Sequence, residues 1–182
     1  MSETPYSEWW SNHSERVEAS DDVRIDVFVR SLGAPTPSQT TQSAVLERLD
    51  GLEKRERIDR FTVQVWGDRL YTGERCSQSP VGRYLHNKIE EFERWADGYP
   101  EVELPFEQTH CESFVTDETF DCVKFPRICL ATYVDGELAG VVPSQFEEVD
   151  MTVHSYLTGL AELASDPLAA TEQAEVKTAG SL

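Results

Sequence analysis

The sequence predicts an α+β fold: a two-layer sandwich, ferredoxin-like or related, that opens with a βαβ unit and packs its helices on one face of a mixed sheet. Three observations carry this expectation. Val23 to Arg30 alternates, with Val23, Ile25, Val27 and Val29 on one side, the period of a strand. Val45, Leu46, Leu49 and Leu52 then form a stripe at helical spacing. Phe61, Val63 and Val65 alternate again, with Thr62 and Gln64 between them. Strand, helix and strand at this spacing imply two parallel strands in one sheet. A winged helix is the alternative, with the helix ending at Leu52 as a recognition helix before a wing. The long strand directly before that helix fits the sandwich better.

The elements follow in order. Residues 1–21 are rich in Ser, Glu and Asn and read as a flexible acidic arm. Trp9 and Trp10 lie in it and are expected to dock, either on the domain or on a second subunit, because exposed tryptophans mark contact surfaces. Phe28, on the other side of the first strand, implies that this side is partly covered too. Gly33 to Pro37 breaks the chain, and Ser38 or Thr40 can cap the helix that follows. Lys54, Arg55 and Arg57 complement the negative end of that helix. Trp66-Gly67-Asp68-Arg69 turns the chain after the second strand. Ser79-Pro80 opens a second helix, with Val81, Tyr84, Leu85, Ile89, Phe92, Trp95 and Ala96 as its stripe and Gly98 and Pro100 as its stop. Val102 to Phe106 is a short strand, whereas Glu107 to Val123 is rich in acids and shows no clear period. Asp135-Gly136 is a hairpin turn between Arg127–Tyr133 and Leu138–Val142. Val153, Tyr156, Leu157, Leu160 and Leu163 suit a final helix. Residues 22–164 read as one domain and residues 165–182 as a disordered tail.

The composition speaks to environment. Asp plus Glu number 34 against 16 Lys plus Arg, for a formal net charge of -18, and the only lysines are Lys54, Lys88, Lys124 and Lys177. Such self-repulsion opposes a compact state in dilute buffer. At molar salt the Debye length falls to about 3 Å and the repulsion fades. Few lysines and acids spread along the whole chain therefore read as adaptation to a salt-filled cytoplasm. No apolar run reaches the ~20 residues that span a bilayer, and the N-terminus lacks a signal-peptide core. The expected compartment is the cytoplasm, with Cys76, Cys111, Cys122 and Cys129 as free thiols.

Reaction chemistry is hard to assemble. There is no phosphate-binding glycine loop and no G-x-S-x-G elbow. His110, Cys111, Cys122 and Cys129 lack the C-x-x-C spacing of a zinc site. His13, His86 and His154 stand singly and read as surface or cap residues. No catalytic residues, metal or cofactor are expected, and the chain reads as non-enzymatic. One departure from the acidity is Lys54, Arg55, Arg57 and Arg60, with Arg69 nearby: a basic cluster at a helix end suits phosphate contacts with duplex DNA. Dipole capping and pairing with Glu47, Glu53 and Glu56 would equally explain it.

Phe28-Val-Arg-Ser-Leu32, Val45-Leu-Glu-Arg-Leu49 and Phe61-Thr-Val-Gln-Val-Trp-Gly67 resemble a haloarchaeal family of small proteins labelled as helix-turn-helix domain proteins. The likeness continues through Glu91-Phe-Glu-Arg-Trp-Ala96, Leu104-Pro-Phe106 and Cys129-Leu-Ala-Thr-Tyr133, and covers most of residues 22–164. It implies a DNA-associated transcriptional regulator and carries over no catalytic residue. The alternative is a protein-interaction or small-ligand-sensing module, with Trp9 and Trp10 as partner-binding residues and a homodimer as one form.

Overall fold

The computed structural model describes residues 5–32, 37–72, 78–112, 114–147 and 149–163. Four helices and ten strands are placed within them: α1 (Pro5–Ala19), β1 (Val23–Val29), α2 (Pro37–Lys54), β2 (Arg60–Val65), β3 (Arg69–Tyr71), α3 (Pro80–Asp97), β4 (Val102–Glu103), β5 (Glu107–Glu112), β6 (Thr119–Lys124), β7 (Ile128–Val134), β8 (Glu137–Val142), β9 (Ser144–Phe146), β10 (Val149–Met151) and α4 (Val153–Glu162). The main sheet has the order β2-β1-β7-β8, and two three-stranded sheets, β10-β9-β4 and β3-β6-β5, stand beside it.

The βαβ unit forms as the alternation predicts. β1 and β2 are parallel, with Ile25 opposite Phe61 and Val27 opposite Val63. β7 lies antiparallel on the other side of β1, so the sheet is mixed. The Asp135-Gly136 hairpin is present, and both residues take positive φ (52° and 83°), as a type I′ turn requires. Ser79 caps α3 by accepting a hydrogen bond from the Gly82 amide, with Pro80 at the first position. The cap expected from Ser38 or Thr40 concerns side chains outside the described ones.

Two expectations are corrected, and one stretch without a clear period is placed. First, helices cover both faces of the main sheet rather than one. Tyr156 of α4 meets Thr132, whereas Phe92 and Lys88 of α3 meet Phe28 and Tyr133 on the opposite side. Thr132 and Tyr133 are successive strand residues and so point to opposite faces. Both faces of β1 are accordingly covered: Ile25, Val27 and Val29 on one and Phe28 on the other are fully buried. Second, the stretch read as a flexible arm contains helix α1. Trp9, His13 and Val17, four residues apart, lie on one face of it and are buried. Third, the acid-rich stretch after Phe106, which shows no clear period, is a hairpin, β5–β6, whose first strand is exposed or half-buried throughout. One continuous core runs from Trp9 and Val17 through both faces of the main sheet to Leu160. The tail expected over 165–182 lies outside the described residues.

Candidate nucleic-acid interface and the docked tryptophans

The basic residues are placed at the C-terminal end of α2 and the two strands after it. Helix α2 ends at Lys54 because the chain turns at Glu56, whose φ is 56°, and because the Arg57 amide closes back on the Leu52 carbonyl at 2.9 Å. Lys54 then pairs with Asp50 one turn earlier, Nζ to Oδ2 at 2.5 Å. This hydrogen bond and the Asp50 charge raise the lysine's pKa. Arg60, at the start of β2, reaches Asp22 at 3.4 Å. Arg69, in β3, is held by Asp68 through Nε at 3.2 Å and Nη2 at 3.0 Å, and that hydrogen bond lowers the Asp68 pKa. Arg55 is exposed and forms an ion pair with no described residue. Arg57 is half-buried and lines a cavity of about 800 Å³ between α1, α2 and β1, together with Glu18, Asp21, Glu53, Glu56 and Asp59.

Lys54, Arg55, Arg57 and Arg60 thus come together on one edge, and Arg69 belongs to another sheet. Each base has acids beside it. From Asp50 to Arg60 the chain carries Asp50, Glu53, Glu56 and Asp59 against Lys54, Arg55, Arg57 and Arg60. The cluster is a neutral island in an acidic surface rather than a positive patch. Other cations serve internal contacts. Arg48 spans α2 and α4 by donating to Thr158 Oγ1 at 2.8 Å, and Arg30 donates to the Phe125 carbonyl. Among the described residues each helix is separated from the next by at least one strand, so no two helices are adjacent in the chain.

The tryptophans dock within their own chain. Trp9 is buried, stacked on His13 at 4.6 Å between ring centres, and packed against Phe146 at 5.0 Å and Trp95 at 6.3 Å. A Cβ at Gly140 would stand 3.3 Å from Trp9 Cζ2, so glycine permits this approach. Trp10 is half-buried and meets Tyr156 edge-on at 5.8 Å. Of the two proposed partner-binding residues, Trp9 is therefore core, because its ring fills the space left by Gly140.

Two polar networks escaped the sequence reading. His13 is buried instead of capping a helix: its Nε2 and the Tyr156 hydroxyl share a hydrogen bond of 2.7 Å, and Tyr156 shares another of 2.6 Å with Thr132. Burial, reinforced by the Arg16 charge, lowers the His13 pKa to about 4. On the other face, Lys88 Nζ donates to Glu91 Oε2 and to Tyr133 Oη, both at 2.8 Å. Burial opposes the Lys88 charge, but these partners outweigh it and raise its pKa. Burial pushes the Tyr133 phenol up to about 12. Arg24 covers the Tyr133 ring at 4.3 Å and pairs with buried Asp26 at 3.1 Å. The signal available for both networks was position: His13 sits four residues from Trp9 and Val17, and Lys88 and Tyr84 sit on one helix face.

Cys111 and Cys122, expected as free thiols, are joined in a disulfide, because the β5–β6 register brings them together. Cys129 is a free, fully buried thiol whose pKa burial raises, and Cys76 lies outside the described residues. Among the described residues no group of three or more His, Cys, Asp or Glu could hold a metal ion. None of the described helices is long and apolar enough to cross a membrane.

No curated protein and no solved structure matches the chain. A family model described as a helix-turn-helix domain matches residues 17–165, which takes in every element from the end of α1 to α4. That description points to DNA binding. The match spans most of the sequence, and the chain belongs to this helix-turn-helix domain family.

Proposed function

We propose that the chain is a non-enzymatic, DNA-associated transcriptional regulator adapted to a salt-filled archaeal cytoplasm. Membership of the helix-turn-helix family over residues 17–165 carries the reading. The contact surface in it is the end of α2. Arg55 is exposed with no described carboxylate partner, and Arg57 and Arg60 follow it. The pairs of Lys54 with Asp50 and of Arg60 with Asp22 are exposed and hold weakly, so a phosphate can replace the carboxylate. Arg69, already held by Asp68, is a peripheral contact. The surrounding acids repel DNA in dilute buffer. Molar salt removes most of that repulsion along with most of the attraction. The domain therefore binds duplex weakly, through a few contacts.

The test is fluorescence anisotropy with labelled duplex DNA over a KCl series. Arg55→Glu with Arg57→Glu removes two phosphate contacts and flattens the slope of log K against log salt by roughly 2. If the folded protein binds no DNA at any KCl concentration, the reading is wrong.

A second reading is an interaction module, favoured by one observation. β2 is an edge of the main sheet, and its Val63 and Val65 are 38% and 49% exposed. A second copy or a partner strand adds there, and light scattering tests the homodimer. A monomeric mass at all concentrations with no co-purifying partner removes this reading.

A further inference from the structure

We propose that the β3–β6–β5 sheet carries a reversible thiol–disulfide site, in which Cys111 is the reactive sulfur and Cys122 resolves it. The proposal stands apart from the DNA reading. The β5–β6 register sets Cys111 opposite Phe120 and Thr109 opposite Cys122, which makes the two cysteines diagonal neighbours on one face. Their Cα atoms are 6.5 Å apart, a separation that a bridge spans.

The two sulfurs have different surroundings. Cys122 is 1% exposed, and its Sγ lies 3.1 Å from the Thr109 hydroxyl. Cys111 is more open, and Arg69 Nη1 donates to its Sγ at 3.2 Å. Arg69 reaches it from β3 across β6: Tyr71 is paired with Cys122, and Arg69, two residues earlier, shares that face. Asp68 holds Nε and Nη2 of the guanidinium, leaving Nη1 for the sulfur. A guanidinium beside a sulfur favours its thiolate, the form that attacks and the form that leaves. Cys129, wholly buried and away from any such cation, has none of this character.

The bridge is not needed to hold the hairpin. Six register pairs join β5 to β6, and His110 Nδ1 meets Asp121 Oδ1 at 2.6 Å on the opposite face. The strands can stay paired with both thiols reduced.

The chemistry balances with a hydroperoxide as oxidant and a dithiol as reductant. The Cys111 thiolate attacks the peroxide O–O bond; an S–O bond forms, the O–O bond breaks, and the leaving alkoxide or hydroxide takes a proton. Cys122 then attacks the sulfenic sulfur: the S–S bond forms, the S–O bond breaks, and water leaves. In the reverse direction a dithiol is oxidised to its disulfide. Its first thiolate attacks Cys111 and expels Cys122, and its second releases the Cys111 thiolate beside Arg69.

The experiment uses the full chain, reduced with dithiothreitol and then treated with stoichiometric hydrogen peroxide, with bridges mapped by non-reducing peptide mass spectrometry. A Cys111–Cys122 bridge is expected, and dithiothreitol should reverse it without changing the circular dichroism. Arg69→Gln should slow the oxidation about threefold at pH 7, since losing the cation costs thiolate but a less acidic thiol regains some nucleophilicity. Arg69→Lys should restore most of the rate. Cys122→Ser should leave a sulfenic acid on Cys111 that dimedone traps. The proposal is overturned by unchanged kinetics in Arg69→Gln, by a bridge to Cys76 instead, by no dimedone adduct, or by a disulfide that opens only when the chain unfolds. If Arg69→Gln does not fold, the Cys122→Ser adduct and the reversal in the wild type decide.

Discussion

Acidification should destabilise this protein through His13. In the native state the imidazole lies beside Trp9, shares a hydrogen bond with Tyr156, and is 3% exposed. Its pKa is lowered from 6.5 to about 4, chiefly by burial. The unfolded chain takes up this proton below about pH 6.5, and the folded chain does not until near pH 4. His13 thus contributes its full stability above pH 6.5, loses it progressively as the pH falls, and has lost it below about pH 4. The whole interval is worth about 3 kcal/mol, and the part between pH 7 and pH 5 about 2 kcal/mol. Urea unfolding at constant molar KCl, followed by tryptophan fluorescence at both pH values, measures it. His13→Gln removes the titration and should abolish that difference, while the exposed histidines contribute equally to both proteins. Equal losses in the wild type and in His13→Gln would show that His13 is hydrated or already charged in the native state, and would refute the reasoning.

Other perturbations probe the remaining contacts. A Cβ at Gly159 would overlap the Trp10 ring, so Gly159→Ala should destabilise by about 1 kcal/mol despite alanine's better helix propensity; in a Trp10→Ala background the same change should stabilise, which urea midpoints in a double-mutant cycle would reveal. Lys88→Met leaves Glu91 and Tyr133 without their shared donor and should cost roughly 1–2 kcal/mol in urea, more than Tyr133→Phe, which keeps the Lys88–Glu91 pair. If the acidity is solvent adaptation, the thermal midpoint should rise as KCl goes from about 0.1 to about 1 M, because the Debye length falls from about 10 to about 3 Å; a flat or falling midpoint counts against it.

Legibility followed the range of the forces involved. The first strand, the helix after it and the second strand could be read because each imposes a short period on its own residues, and β1, α2 and β2 formed where that period lay. The Asp135-Gly136 turn and the Ser79-Pro80 start were legible because they are local backbone requirements. Helix α1 was missed because its buried stripe is thin, Trp9, His13 and Val17, in an otherwise polar segment. The β5–β6 hairpin was missed because β5 buries no side chain and β6 buries only Cys122 and Val123, so neither strand shows a clear apolar period. The basic cluster was legible as a run of residue types, but its electrostatic character was not: the acids that neutralise it include Asp22, distant in sequence and 3.4 Å from Arg60.

By itself the sequence determined the fold class, the acidic surface and the places where the chain must turn, since these depend on neighbouring residues alone. The tertiary structure decided what those residues meet. It put Trp9 and His13 in the core, because Gly140 and Tyr156, far away in the chain, leave a space of that shape and polarity. It also brought Arg69 to Cys111 across an intervening strand, a juxtaposition set by the pairing of β3, β6 and β5. Burial and charge proximity exist only between residues that folding has brought together, and no local period encodes them.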